Sequence, residues 1–304
     1  MKISIIGAGM VGSTAAQRIA DKRLADELVL VDITEAVKGK ALDIQESASI
    51  EGFDTKVTGT MDYKDIARSD IVIVTAGFPR MPGMSRDDLL ARNSGIIRGI
   101  AEKIKEYAAE AIVIVVTNPL DVMSYITLKE TGFSKDKVIG MAGVLDTTRL
   151  AGFIAEELKA SPGDVRALVL GSHGDTMVPV MQETEVSGKK IRELLDDEKI
   201  ERLVDRTRKG GMEIVNYLKK GSAFYAPSSS VVKMVSAIVN DTKEILPCSV
   251  YLEGEYGYSS IYLGVPVRLG KNGVEEIVEI GLDEDVKRQL DNSASATKKN
   301  IEGL

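Results

Sequence analysis

A short apolar run, Lys2 to Ile6, ends in Gly7-Ala8-Gly9-Met10-Val11-Gly12, and the residues from Ser13 to Ala20 then carry the apolar spacing of a helix. The isoleucines make the run a buried strand. A G-x-G-x-x-G turn held between strand and helix leaves few folds open. Gly7 permits the tight turn, Gly9 lets a pyrophosphate approach the backbone, and Gly12 lets the helix pack on the strand. The helix N-terminus offers free N–H groups and the positive end of its dipole, so Gly7, Ala8, Gly9, Met10, Val11 and Gly12 are the expected cradle. A second strand, Glu27 to Val31, ends at Asp32, 20 residues past Gly12. That is the spacing of a ribose-binding acid. A carboxylate there accepts from a ribose 2′-hydroxyl and repels a 2′-phosphate, which favours NAD over NADP.

The alternation continues. Helix is expected over Thr34 to Ser49, strand over Asp54 to Gly59 and over Ile71 to Thr75, then a long helix to about Tyr107. A strand over Ala111 to Val116, a helix over Asp121 to Glu130 and a short strand over Lys137 to Gly140 complete the first half. Strands that alternate with helices predict an α/β fold, a doubly wound parallel sheet of the Rossmann type. Near Gly143 the rhythm changes. The predicted division is a dinucleotide-binding domain over 1–143 and an α+β substrate and catalytic domain over 144–304. In that second half, helix is expected from Val144 to Lys159, strand over Val165 to Leu170 and over Met177 to Thr184, and one long helix from Ile191 to Leu218. A turn through Gly221 to Pro227 leads into a helix over Ser229 to Asn240. Strands over Ile245 to Leu252, Ile261 to Leu269 and Val274 to Ile280 follow, the last two joined by a hairpin at Gly270-Lys271-Asn272-Gly273. An amphipathic helix begins near Asp283.

With a net charge of −7, the chain lacks the basic excess of a nucleic-acid binder, so anionic substrates need a local cationic site. A single cysteine, Cys248, excludes an internal disulfide and a thiolate zinc cluster. No apolar run has the length of a membrane span, and the N-terminal one is too short for a signal-peptide core. The expectation is a cytoplasmic protein with no bound metal.

Chemistry concentrates at a few positions. His173, in Gly171-Ser172-His173-Gly174-Asp175, is the one histidine, and imidazole is the side chain that exchanges a proton near neutral pH. Leu168, Val169 and Leu170 before it put it at a strand end. Arg80 falls in a Pro- and Gly-rich loop, and Arg86 in the first turn of the next helix, where a cation opposes the dipole and is better tolerated when an anion visits. Asn118 stands at a strand's carboxyl end, on the rim where open α/β sheets bind ligands. Asp146 and Arg149 are spaced to share one helix face; an intrahelical ion pair accounts for them equally well at this level.

Taken together, the residues resemble the lactate/malate dehydrogenase superfamily, and within it the lactate-dehydrogenase-like malate dehydrogenases. The likeness runs through the glycine fingerprint, Ala76-Gly77-x-Pro79-Arg80-x-Pro82-Gly83-Met84, Thr117-Asn118-Pro119, Gly140-Met141-Ala142-Gly143-Val144-Leu145-Asp146, Gly174-Asp175 after His173, and Gly264-Val265-Pro266. Met81 and Ser172 depart from it, where lysine, and glycine or glutamate, are usual. The resemblance implies an NAD-dependent oxidoreductase acting on a small dicarboxylate, malate or oxaloacetate. It implies that His173 is the proton acceptor with Asp146 as its carboxylate partner, and that Arg149 holds the carboxylate beside the reacting carbon. Arg86 then polarises the carbonyl, Asn118 binds substrate oxygen, and Asn93, Val116, Thr117 and Asn118 lie by the cofactor. It also implies a cis Asn118–Pro119 bond and a homodimer or homotetramer. Arg80 stands where lactate enzymes carry glutamine, and so supplies a second carboxylate site. The alternatives are an L-lactate or other 2-hydroxyacid dehydrogenase, an NAD-dependent glycosidase, which needs a metal held by Cys and His, and a non-catalytic NAD sensor.

Overall fold

Six strands, β1 (Lys2–Ile6), β2 (Glu27–Val31), β3 (Lys56–Thr60), β4 (Ile71–Val74), β5 (Ile112–Val115) and β6 (Val138–Gly140), pair in parallel. In all but the edge strand β3, the largely Ile, Val and Leu content is that of strands covered on both faces. Successive side chains divide between two cores. Ile3, Ile5, Leu28, Leu30, Ile73 and Ile114 face one way, and Val29, Val31, Val72, Val74, Val113 and Val115 the other. Each such burial contributes about 1.5–3 kcal/mol. Helices α1 (Met10–Asp21), α2 (Ala36–Glu46), α3 (Ala48–Glu51), α4 (Arg86–Tyr107) and α5 (Leu120–Thr131) make the crossovers. This computed structural model describes residues 1–78 and 86–304, the side chains of residues 86 and 87 excepted.

The second half of the chain begins with α6 (Gly143–Leu158) and the short strands β7 (Val165–Arg166), β8 (Val169–Leu170), β9 (Val178–Pro179), β10 (Glu185–Val186) and β11 (Lys189–Lys190). Then follow α7 (Ile191–Leu194), α8 (Asp197–Leu218), α9 (Tyr225–Val239), β12 (Glu244–Glu253), β13 (Ser259–Gly270), β14 (Gly273–Ile277) and α10 (Glu284–Glu302). The antiparallel strands β12 to β14 extend the parallel sheet, whose order is β14-β13-β12-β6-β5-β4-β1-β2-β3. The join is a bridge between Ser249 and Gly140. The expected hairpin turns through Lys271 and Asn272, with Gly270 facing Gly273. A smaller core of Leu150, Ile154, Met177, Ile191 and Leu203 fills the space between α6, α8 and the short strands.

Four expected elements differ. Val165 to Leu170 is two strands, because β7 pairs with β10 while β8 pairs with β9. Met177 to Thr184 is strand only at β9, where Pro179 offers no N–H to a ladder, and a 3-10 turn follows at Met181–Glu183. The long helix is broken at Leu195, whose backbone is extended, and Asp196 caps α8 by accepting from the Lys199 N–H at 2.9 Å. Helix α9 starts at Tyr225, ahead of the expected Ser229. Pro227 lies in its first turn, where a missing N–H costs no intrahelical bond. Among the described residues, no helix is long and apolar enough to cross a membrane.

Candidate active site

The parallel strands deliver the candidate residues at their carboxyl ends. After β1 the chain enters the glycine turn. Gly7 has φ +101°, and a Cβ there would lie 2.4 Å from the Ala76 nitrogen. A Cβ on Gly12 would lie 2.0 Å from the Gly7 carbonyl oxygen, so neither position admits a side chain. Gly9 is different: a Cβ there would meet nothing within 4 Å. That face of the turn is open, and no side chain caps the N-terminus of α1. With no described atom within 4 Å of a Cβ at Gly9 and no side-chain cap on α1, the first-turn N–H groups are free to receive a pyrophosphate. Asp32, at the end of β2, accepts from the Ala8 N–H at 2.7 Å and from the Ile33 N–H at 2.8 Å. Its carboxylate thus sits against the turn while keeping lone pairs for a ribose. Ser228 of α9 donates to the Val11 carbonyl at 2.8 Å and ties the second half of the chain to this turn.

After β4 and β5 come Ala76-Gly77 and Thr117-Asn118. The Asn118–Pro119 bond is cis. Asn93, buried in α4, accepts from the Phe78 N–H at 2.7 Å and donates to the Asn118 carbonyl at 2.7 Å. It pins the two loops together through their backbones. Thr117 donates to the Ala76 carbonyl at 2.6 Å, and the Val116 N–H to the Val74 carbonyl at 2.8 Å. Arg80 and the side chain of Arg86, both expected at the substrate, lie outside the described residues.

After β6, the first turn of α6 carries Asp146, which is 1% exposed. Its Oδ2 lies 2.9 Å from His173 Nδ1, and its Oδ1 lies 3.5 Å from Arg149 Nη1. With a carboxylate on Nδ1, the imidazole keeps its proton there and leaves Nε2 as the basic atom. Arg149 is largely buried, and its Nε has no partner among the described residues. Helix α8 packs against it through Gly210 and Gly211, whose missing side chains leave room for the guanidinium. The His173 loop leaves β8 through Gly171, φ +84°, which bridges to Gly264 of β13.

Burial works to lower the pKa of His173, but the charge and hydrogen bond of Asp146 outweigh it. The result, with Arg149 opposing and Asp121 assisting, lies above the ordinary imidazole value. Burial lowers the pKa of Arg149, and Asp146 counters only part of that. The arrangement offers a base at Nε2, a carboxylate that stabilises the imidazolium, and a largely buried guanidinium whose Nε is unpaired among the described residues. Among the described residues, no group of His, Cys, Asp and Glu could hold a metal ion.

Sequence reasoning missed several supporting residues. Asp121, in the first turn of α5, accepts from Ser172 and Ser249 hydroxyls, each at 2.6 Å, and from the His173 N–H at 3.0 Å. Ser293 of α10 accepts from the Ser172 N–H at 2.8 Å. Lys40 donates to the Ala8 carbonyl within the glycine turn. The paired glycines of α8 were the one readable signal, since glycine is costly inside a helix.

The chain is similar to known proteins from end to end. Residues 1–140 match the model of the lactate/malate dehydrogenase NAD-binding domain, and residues 143–304 that of the lactate/malate dehydrogenase alpha/beta C-terminal domain. Malate dehydrogenase of Chloroherpeton thalassium is 57% identical, over 99% of this chain and 98% of that protein. The structure of malate dehydrogenase from Salinibacter ruber superposes with a TM-score of 0.95 at 48% identity, covering 99% of this chain and 97% of that one. A lactate dehydrogenase from Cryptosporidium parvum, complexed with lactic acid and nicotinamide adenine dinucleotide, superposes with a TM-score of 0.96 at 41% identity, over 99% and 97% of the two chains. A glycine turn closed by Asp32, an imidazole backed by a carboxylate, and these end-to-end matches converge: the chain belongs to the lactate/malate dehydrogenase family.

Proposed function

We propose that the chain is an NAD-dependent malate dehydrogenase, interconverting (S)-malate and oxaloacetate. The observation that carries this reading is the 2.9 Å contact between His173 Nδ1 and Asp146 Oδ2, with Arg149 on the other oxygen of the same carboxylate. Bound NAD supplies the acceptor for the hydride that leaves the malate carbon. Gly7, Ala8, Gly9, Met10, Val11 and Gly12 would hold its pyrophosphate, and Asp32 its ribose. Val116, Thr117 and Asn118 would border its reactive end, in a pocket whose shape Asn93 maintains.

The protein groups then have distinct work. Neutral His173 takes the hydroxyl proton at Nε2 as the carbon–oxygen double bond forms, and the imidazolium returns it in the reverse direction. Asp146 stabilises that imidazolium and fixes the ring's orientation, as a carboxylate does for other histidine bases. Arg149 binds the carboxylate next to the reacting carbon, through a fork that lysine could not reproduce. Its buried Nε, unpaired among the described residues, supports this role. Arg86 polarises the carbonyl and stabilises developing alkoxide charge, and Asn118 binds a substrate oxygen.

Arg80 separates malate from lactate. Oxaloacetate carries two carboxylates for two guanidinium groups, whereas pyruvate would leave Arg80 desolvated and unpaired. Such a loss costs about 3 kcal/mol, on the order of a hundredfold in discrimination. Initial rates of NADH loss with oxaloacetate and with pyruvate test the reading. Oxaloacetate is the expected substrate, and a preference for pyruvate would establish the lactate alternative instead. Arg80→Gln shifts the preference toward pyruvate; unchanged oxaloacetate activity in that variant removes Arg80 from the scheme.

The domain division at residue 143 is supported by the two family models, which meet between residues 140 and 143. Assembly as a homodimer or homotetramer follows from the family resemblance. Sedimentation equilibrium distinguishes the two states. A cytoplasmic setting is supported by the lone buried thiol of Cys248.

A further inference from the structure

The first turn of α5 holds a fully buried carboxylate that no step above uses. Asp121 is 3% exposed and takes up three donors from distant parts of the chain. Its Oδ2 accepts from the Ser172 hydroxyl at 2.6 Å and the His173 N–H at 3.0 Å, and its Oδ1 accepts from the Ser249 hydroxyl at 2.6 Å. Ser249 lies on β12, opposite Gly140 at the junction of the parallel and antiparallel strands. Ser172 and His173 lie on the loop after β8. Asp121 itself follows the Thr117-Asn118-Pro119 rim directly. One side chain therefore joins the rim of the parallel sheet, the antiparallel strand that adjoins it and the backbone of the imidazole's own residue.

We propose that Asp121 is the positioning residue of His173: its carboxylate fixes the loop that carries the imidazole, so that Nδ1 stays within reach of Asp146. The inference rests on the reading of His173 as the proton acceptor, and gives that residue a second anchor. Asp146 holds the ring and Asp121 holds the backbone beneath it. On its N-terminal side the loop is held by the bridge between Gly171 and Gly264 of β13. Gly171 and Gly174 flank the pair with φ of +84° and +140°, in the region that favours glycine, and a Cβ on Gly174 would meet nothing within 4 Å. Ser172 is integral to the anchor, because it supplies one donor through its hydroxyl and a second link, to Ser293, through its N–H. Among the described residues, three groups set the electrostatics around the imidazole: Asp146 and Arg149 from α6, and Asp121 from α5.

Asp121→Ala and Asp121→Asn test the proposal. Asparagine keeps an acceptor for the His173 N–H and can pair its amide with Ser249, so it preserves geometry; alanine releases the loop. The expected order of kcat with oxaloacetate is wild type, then Asp121→Asn, then Asp121→Ala. The alanine variant should fall roughly ten- to a hundredfold, with KM for NADH within about twofold. His173 is the one histidine in the chain, so a tag-free protein carrying 13C at histidine Cε1 gives a single resonance. Its titration reports the imidazole without any substrate. Loss of the Asp121 charge by itself lowers the midpoint, and Asp121→Asn, which keeps the geometry, measures that part. Loosening the loop also weakens the contact with Asp146, so the midpoint should move down further in Asp121→Ala than in Asp121→Asn. Equal midpoints in the two variants count against the proposal. An Asp121→Ala protein that unfolds cooperatively, but keeps wild-type kcat and the wild-type midpoint, overturns the proposal. Where alanine prevents folding, Ser172→Ala replaces it, with the same direction expected and the same null result decisive. The titration needs no turnover, so it separates failure of this inference from failure of the malate reading, which the wild-type oxaloacetate assay judges.

Discussion

Helix α8 carries two adjacent glycines, and their different contacts with Arg149 yield a paired prediction. A Cβ on Gly210 would lie 3.3 Å from Arg149 Cδ and 3.5 Å from a Phe153 ring carbon. A Cβ on Gly211 would lie 3.7 Å from Arg149 Nη2. Carbon pairs rest at about 3.5–4.0 Å, so Gly211→Ala makes an ordinary contact, whereas Gly210→Ala must push Arg149 by a few tenths of an ångström. Either change gains about 1 kcal/mol of helix propensity, or about 2 °C in Tm for a chain of this size. The gain is kept at Gly211 and partly offset by strain at Gly210. A 1 Å displacement of a positioning group costs about a hundredfold, so a few tenths should cost roughly two- to fivefold in kcat/KM for oxaloacetate. The assay is NADH oxidation under steady-state conditions, with a thermal melt of each variant. Gly211→Ala should melt higher at near wild-type kcat/KM. Gly210→Ala should lose kcat/KM at unchanged KM for NADH. Equal kinetics in the two variants would refute the idea that the room beside Gly210 sets the position of Arg149.

The remaining predictions concern protons, charge and access. Malate oxidation needs neutral His173 and oxaloacetate reduction needs the imidazolium. Because the His173 pKa is raised, the oxidation limb of the pH profile should rise above about pH 6.5, and the reduction limb should fall over the same interval. Asp146→Asn removes the charge that outweighs burial, so both limbs should move to lower pH and kcat should fall by about a thousandfold or more. The same raised pKa gives a stability increment that is complete below about pH 6.5 and is lost as pH rises through the folded value; Asp146→Asn should flatten that part of a Tm-against-pH curve. Asp32→Ala removes the carboxylate that would repel a 2′-phosphate, so the ratio of kcat/KM for NADH over NADPH should drop at least tenfold; an unchanged ratio excludes Asp32 from cofactor choice. Cys248 is fully buried and its pKa is pushed up by burial. Its alkylation by iodoacetamide should therefore track global unfolding in urea, and rapid labelling of the native protein would contradict that burial.

What could be read from the chain follows from how far each signal reaches. Strands β1, β4 and β5 announce themselves because both their faces are apolar, and the glycine turn because Gly7 and Gly12 leave no room for a Cβ. His173 stood out as the chain's one histidine, and Arg149 through its spacing from Asp146. The elements that differed are those decided by distant pairing: β7 and β8 look continuous in sequence, yet hydrogen-bond to different strands. Asp121 escaped for a related reason. An acid in the first turn of a helix is already accounted for by the dipole, so nothing local asks for a further role. Its partner Ser249 is 128 residues away, and Ser172 is 51 away. The groups that do chemistry carry their own signal in residue type, whereas the groups that hold them in place are ordinary serines, glycines and helix-start acids. Their function exists only in contacts that folding creates. A carboxylate with three donors from two other segments is costly to bury unless all three arrive together, which makes such a cluster a better marker of a held loop than any pattern along the chain.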